Sequence, residues 1–87
     1  MNEPSPLVFP TDYPIKVVVR RDTGLRARID AVVLRHVPDF DPHRVGERAS
    51  ARGNYLSITY TIVARSREQV VALVSELSAT AGVLMVI

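Results

Sequence analysis

Two histidines and the aspartates between them are the side chains whose types could do metal or acid–base chemistry. His36 and His43 are the only histidines in the sequence, and Asp39 and Asp41 lie between them. Their spacing matches no familiar zinc signature. His36 falls near the end of a predicted helix, where the negative helix terminus favours a histidine that can carry a positive charge. We therefore predict no metal site, and turn or capping roles for the two aspartates.

A hydroxyl nucleophile is the other chemistry that these residue types could support. Ser57 could be paired with His43 as nucleophile and base. However, Ser57, Thr59 and Thr61 alternate along one predicted strand, which is typical of a polar sheet face. No catalytic constellation follows, so we predict a protein that is not an enzyme and that needs no cofactor.

Composition restricts the class of protein further. The chain has 87 residues, enough for one small core, and 47% of them are apolar, as in globular domains. It has no cysteine, which excludes disulfides and thiolate metal sites. A net charge of +2 is too weak to demand a nucleic acid partner. No apolar run is long enough to span a bilayer, and the first six residues lack the regions of a secretory signal, so we predict a cytoplasmic protein.

The order of hydrophobic periods predicts the elements that position these side chains. Alternating β-branched residues indicate strands, and apolar stripes at helical spacing indicate helices. The predicted order is β-α-β-β-α-β, over residues 14–21, 23–37, 44–50, 55–65, 67–79 and 82–87. Three prolines and no periodicity predict a flexible N-terminal arm over 1–11, from which Leu7 and Phe9 could dock on a single domain at 12–87.

Two helices with one apolar stripe each pack most economically on the same side of a four-stranded sheet. With right-handed crossovers this gives a ferredoxin-like α+β sandwich, in which the first and third strands are central and the sheet is antiparallel. We predict Asp22 as the N-cap of the first helix and a capping box from Ser66 to Gln69 for the second. Gly53 or Asn54 takes positive φ in the turn before the third strand.

Three segments of the chain, in this order and spacing, resemble the YbeD-like family of small bacterial proteins. They are Phe9-Pro10-Thr11 with Tyr13 and Lys16-Val17, Gly53-Asn54-Tyr55 with Ser57 and Thr59, and residues 66–77 with Glu68-Gln69-Val70. The resemblance covers residues 9–87 and implies a ferredoxin-like fold, similar to the regulatory ACT domain, in a cytosolic bacterial protein. It implies no activity.

The predicted junction between the first strand and helix offers a candidate ligand loop, Asp22-Thr23-Gly24-Leu25. This segment is similar to the signature at the start of the ACT helix, which implies a small carboxylate ligand such as an amino acid, bound by the helix amides. The alternative is an ordinary helix start, in which the Asp22 carboxylate occupies those amides and repels an anion.

The sheet face opposite the helices is the candidate interaction surface. Its predicted members are basic or carry hydroxyls: Lys16, Arg20, Arg44, Arg48, Tyr55, Ser57, Thr59 and Thr61. RNA binding is disfavoured, because Tyr60 is predicted to face the core and Tyr55 alone remains for base stacking. We predict a regulatory or adaptor domain that contacts another protein across this face or an edge strand, with weak self-association through residues 44–50 left open.

Overall fold

In the computed structural model, residues 8–21 and 24–87 are described, and they form the predicted β-α-β-β-α-β order. A short 3-10 turn, Pro42–Arg44, precedes the second strand. The elements are β1 (Thr11–Arg20), α1 (Leu25–His36), β2 (Val45–Ala49), β3 (Tyr55–Ala64), α2 (Arg67–Ala79) and β4 (Val83–Val86).

The four strands form one antiparallel sheet in the order β2-β3-β1-β4, so the first and third strands are central, as predicted. The longest ladder joins β1 to β3, from the pair Thr11 and Ala64 to the pair Arg20 and Tyr55. This ladder also corrects the predicted start of β1 at Pro14. The strand begins three residues earlier because β3 extends far enough to pair with it. No pattern in the sequence around residues 11–13 predicts this earlier start.

Both helices pack on one side of the sheet, which confirms the ferredoxin-like sandwich. The core side of β1 carries Ile15, Val17 and Val19, and that of β3 carries Ile58, Tyr60 and Ile62, all essentially buried. The helix stripes that close over them are Leu25, Ile29, Val32, Val33, Val70, Leu73 and Leu77. The apolar periods read from the sequence therefore fix which side of each element is buried.

The start of α2 confirms its predicted cap. Ser66 caps α2, where its hydroxyl accepts from the amide of Gln69 at 3.1 Å. The Gln69 side chain accepts from the amide of Arg65 at 2.7 Å, one residue before the expected donor. At the start of α1, Gly24 immediately precedes the first helical residue, Leu25. The predicted cap, Asp22, lies outside the described residues.

Two glycines make tight turns possible. Gly53 has φ of +74° in the turn between β2 and β3, as predicted, and Gly82 has φ of +93° between α2 and β4. A Cβ on Gly82 would lie 2.9 Å from Cδ2 of Leu25, so this glycine is needed for close approach as well as for its dihedral angle.

Phe9, two residues before β1, docks on the domain. Phe9 is partly buried and packs against the core, as the sequence allowed. Leu7, the other predicted docking residue, lies outside the described residues, and so does most of the predicted arm at 1–11. Thr11, the last residue of that predicted arm, belongs to β1.

Candidate functional site: the open face of the sheet

The strand register places most of the predicted interaction residues on one side of the sheet. Lys16 lies opposite Thr59, Arg20 opposite Tyr55, and Arg48 lies opposite Ser57. Because residues opposite each other in a ladder point to the same side, these side chains share the surface away from the helices. We call this surface the open face; it also carries Thr61 from β3, Val18 from β1 and Met85 from β4.

Three basic residues give the open face a positive charge. Lys16, Arg20 and Arg48 are exposed, and none of them forms an ion pair within residues 8–21 and 24–87. Such charges are well placed to attract a partner surface that carries carboxylates.

Arg44 does not extend this patch as predicted. It ends the 3-10 turn before β2, and both of its terminal nitrogens contact Asp12 at 3.0 Å, one on each carboxylate oxygen. The hydrogen bond from this guanidinium, with its charge, holds the pKa of the Asp12 carboxyl below its ordinary value. The sequence could not show that Arg44 is neutralised, since its partner lies 32 positions earlier.

The hairpin end of the open face contains a groove beside Arg48. Ser50, Tyr55 and Ser57 line it together with the small side chains of Ala49 and Ala51, and its volume is about 360 Å³. The Ser50 hydroxyl already accepts from the Tyr55 amide at 3.1 Å, which fixes the hairpin. The groove is therefore an open surface that combines a cation with three hydroxyl-bearing side chains, rather than a closed pocket.

The β4 side of the open face is apolar, a feature that the sequence reasoning missed. Met85 lies opposite Val18, and Ile87 exchanges two backbone hydrogen bonds with Lys16, which places it on the same side. Met85 is 53% exposed and Ile87 is 68% exposed. We call Val18, Met85 and Ile87 the apolar strip. The surface thus grades from cations on β2 and β1 to uncovered apolar side chains at the β4 edge.

The bulge in β4 is the reason that alternation failed to predict this strip. The register with β1 shifts between Val18 and Val19, so that Leu84 is an extra residue with no partner in the ladder. Every residue from Val83 to Ile87 is apolar, so the sequence alone offers no signal for which of them point outward.

The residues first considered for metal or acid–base chemistry are engaged in local pairs. Nε2 of His36 lies 2.7 Å from Oε1 of Glu76, and Asp39 pairs with Arg65. Asp41 accepts from the amide of His43 at 2.9 Å, and this bond lowers the pKa of the Asp41 carboxyl. Within residues 8–21 and 24–87 no three such side chains converge as a metal site would require.

Two of the four residues of the candidate ligand loop, Gly24 and Leu25, belong to the described part of the chain. Leu25, its last member, is 4% exposed and belongs to the core, so its side chain is not available to a ligand. Gly24 is the N-cap residue of α1, and Asp22 and Thr23 lie outside the described residues. The carboxylate site therefore stays a prediction.

A polar network on the helix side of the sheet is a second feature missed by sequence reasoning. The hydroxyl of Tyr60 donates to Oδ1 of Asp30 at 2.5 Å, and Nε of Arg26 donates to the same oxygen at 2.8 Å. The Arg26 guanidinium also pairs with Glu47 on β2. Burial and the hydrogen bond to Asp30 raise the pKa of the Tyr60 phenol. Only the spacing of Arg26 and Asp30, one helical turn apart, could have been read from the sequence.

An open four-stranded sheet backed by two helices is the architecture of an ACT-type ferredoxin-like domain. Two solved structures share it. The ACT domain of the GTP pyrophosphokinase of Chlorobium tepidum superposes with a TM-score of 0.67 at 18% identity, over 87% of this chain and 84% of that domain. The C-terminal domain of MgtC from Mycobacterium tuberculosis gives 0.63 at 19%, over 93% and 88%. At these identities the similarity shows the fold alone.

The chain belongs to the family described as "Protein of unknown function (DUF493)", which matches residues 5–87. Bacterial UPF0250 proteins are similar to it. The relative from Leptothrix cholodnii is 42% identical over 77 residues, 88% of this chain and 85% of its own. The relative from Ectopseudomonas mendocina is 38% identical over 86 residues, 98% of this chain and 94% of its own. The YbeD-like resemblance is thereby confirmed.

Among the described residues, neither helix has the length and apolar character that crossing a bilayer requires.

Proposed function

We propose that this protein is a non-enzymatic regulatory or adaptor domain that binds another protein across its open face. The observation that carries the proposal is the grading of that face, from Arg48 and Arg20 to the apolar strip. A solvated sheet face needs no uncovered Met85 or Ile87, whereas protein interfaces combine apolar side chains with a charged rim.

The charges define the chemistry of the partner. Lys16, Arg20 and Arg48 are exposed without a carboxylate partner in the described part of the chain, so they favour a surface that supplies Asp or Glu. The apolar strip beside them favours a partner segment that also presents aliphatic or aromatic side chains. A partner that is amphipathic and acidic meets both requirements.

The edge position of β4 supports the same proposal. In the strand order β2-β3-β1-β4, the outer side of β4, the strand that borders the apolar strip, pairs with no other strand within residues 8–21 and 24–87. The other edge, β2, carries Gly46, Glu47 and Arg48, and charges of this kind discourage edge pairing. A partner segment that adds to β4 would gain main-chain hydrogen bonds beside the apolar strip. Weak self-association through residues 44–50 stays a prediction, and the charges on β2 oppose it.

The test is affinity capture with a charge-reversed open face. The double variant Arg20→Glu with Thr59→Glu should lose the partner that the wild-type chain captures. The two introduced glutamates would repel the carboxylates of the partner and disturb the centre of the open face. The matched control is Arg28→Glu with Ser75→Glu, which makes the same change of charge at exposed helix positions. Both variants should retain the circular dichroism and unfolding behaviour of the wild type.

Binding of the captured partner, purified, should weaken as salt is raised, and should weaken again in the variant Met85→Ser. Partners that are retained equally by both double variants would contradict the proposal. So would a partner lost from the helix control instead of the open-face variant.

The ACT-like fold supports a second candidate, a sensor of a small carboxylate ligand at the junction between β1 and α1. Chemical-shift mapping with a panel of amino acids separates the two functions. Saturable shifts confined to residues 21–26 would favour the sensor, and no response across the panel would remove it.

A further inference from the structure

A small cavity lies beside α1, on the helix side of the sheet and away from the open face. Its volume is about 120 Å³. Leu34 from α1, Phe40 and Pro42 from the connection to β2, and the ring of Tyr60 from β3 form apolar walls. Asp30, one helical turn before Leu34, is the charged member of the lining. Apolar walls with a few convergent polar groups are the usual composition of a small-molecule site.

The inner wall of this cavity is packed against the core, and its outer wall is open to solvent. The rings of Phe40 and Tyr60 pack at a centroid distance of 5.8 Å with an interplanar angle of 56°. Tyr60 is only 1% exposed, so the inner wall is part of the core. The outer wall is accessible, because Leu34 is 47% exposed and Pro42 is exposed as well. A ligand would therefore cover apolar surface that folding leaves in water.

The charges at the cavity select a cation. Oδ1 of Asp30 accepts from the Tyr60 hydroxyl at 2.5 Å and from Nε of Arg26 at 2.8 Å. The Arg26 guanidinium pairs with Glu47 as well as with Asp30. Because one cation faces two carboxylates, these three side chains together carry one net negative charge. A carboxylate can accept about four hydrogen bonds, so two on Asp30 leave capacity for a third donor.

The volume limits the size of the ligand. An apolar cavity of about 150 Å³ takes up benzene, so a cavity slightly smaller than this accommodates one ring or a short branched chain. We propose that this cavity binds a small apolar amine. Its hydrocarbon body would pack against Leu34, Phe40 and Pro42, and its ammonium group would donate to Asp30.

The test is an NMR titration of the full chain with three probes of the same shape. Benzylamine carries the cation, benzyl alcohol replaces it by a neutral group, and benzoate replaces it by an anion. Benzylamine should give saturable shifts at residues 30, 34, 40–42 and 60. Its dissociation constant should be in the millimolar range, as expected for about eight non-hydrogen atoms. Benzyl alcohol should bind about tenfold more weakly, and benzoate should not bind.

Two variants locate the site. Asp30→Asn keeps an acceptor for Tyr60 and Arg26 but removes the charge, and should weaken benzylamine about tenfold. Leu34→Gln removes an exposed part of the apolar wall without disturbing the buried stripe, and should weaken all binding. Val71→Gln is the matched control, because it makes a similar change at an exposed apolar position of α2.

Three results would overturn the proposal. They are the absence of saturable shifts, equal binding of amine and alcohol, and binding that survives both Asp30→Asn and Leu34→Gln. Because the cavity and the open face lie on opposite sides of the sheet, none of these results bears on the protein-binding function proposed above.

Discussion

The hydroxyl of Tyr60 donates to Oδ1 of Asp30 at 2.5 Å and so joins the central strand β3 to α1. The two residues are 30 positions apart in the sequence. Tyr60 brings a polar atom to the boundary of an otherwise apolar core, and Asp30 satisfies it from a half-exposed position on the helix. A phenol can pack in a core when its hydroxyl finds such a partner.

Tyr60→Phe removes this hydrogen bond while it keeps the ring. We expect the free energy of unfolding to fall by about 1 kcal/mol, since Asp30 retains Arg26 and water as partners. Chemical denaturation of the wild type and the variant measures the difference. Tyr55→Phe, which makes the same change at an exposed position of the open face, is the control and should change stability by less than about 0.5 kcal/mol. Equal effects of the two substitutions would contradict the role assigned to the Tyr60 hydroxyl.

The same phenol predicts a loss of stability in alkaline solution. Burial and the bond to Asp30 raise the pKa of Tyr60 above its ordinary value of 10.0. Above pH 10 the unfolded chain therefore releases this proton while the folded chain keeps it. The contribution of Tyr60 is complete below that pH and declines as pH rises through and beyond it.

Two measurements check this pH dependence. Ultraviolet absorbance at increasing pH should show a tyrosine ionisation that coincides with unfolding in the wild type and is missing in Tyr60→Phe. Denaturation at increasing pH should give a smaller slope of stability against pH for Tyr60→Phe than for the wild type. If the ionisation that Tyr60→Phe removes occurs while the wild type is still folded, the assigned burial of the phenol is refuted.

How much of this structure is readable from the sequence depends on whether the cause is local. Apolar periods fixed the order of the elements and their buried sides, and Ser66 and Gly53 marked a cap and a turn. The start of β1 was predicted wrongly because it is set by pairing with the end of β3.

In the candidate site, too, the features with a local cause were predicted and those set by distant residues were not. Alternation along β1 and β3 predicted the cations and hydroxyls of the open face correctly. It could not predict the apolar strip, because Met85 and Ile87 are directed outward by the register and bulge of β4. Nor could it predict that Arg44 is taken up by Asp12, or that Tyr60 reaches Asp30, since both pairs are distant in sequence.

Gly82→Ala should destabilise the domain. The residue has φ of +93°, and the added Cβ would meet Cδ2 of Leu25 at 2.9 Å, inside the core. We expect a loss of about 1–2 kcal/mol from the dihedral angle alone, with a further loss from moving Leu25. Thermal or chemical unfolding measures it.

Gly46→Ala is the control for that substitution. Gly46 lies in β2 at an ordinary φ, and a Cβ there would meet nothing within 4 Å. The change should be neutral or should stabilise by up to about 1 kcal/mol, because alanine restricts the unfolded chain. A Gly82→Ala variant as stable as Gly46→Ala would show that the turn before β4 does not need its glycine.

The bond between Arg44 and Asp12 predicts a selective change in carboxyl titration. Hydrogen bonding and charge from Arg44 lower the pKa of Asp12 below its ordinary value of 3.8. The pair therefore supports the fold above that pH and ceases to do so as the pH falls through the lowered pKa of Asp12. Arg44→Gln should return the pKa of Asp12 towards 3.8.

The Asp41 carboxyl is the internal control, because its pKa is lowered mainly by the amide of His43, and Arg44 contributes least to it. Carboxyl-carbon NMR shifts followed through acid pH measure both groups in one sample. If Asp12 titrates alike in the wild type and in Arg44→Gln, the bond between them does not persist in solution.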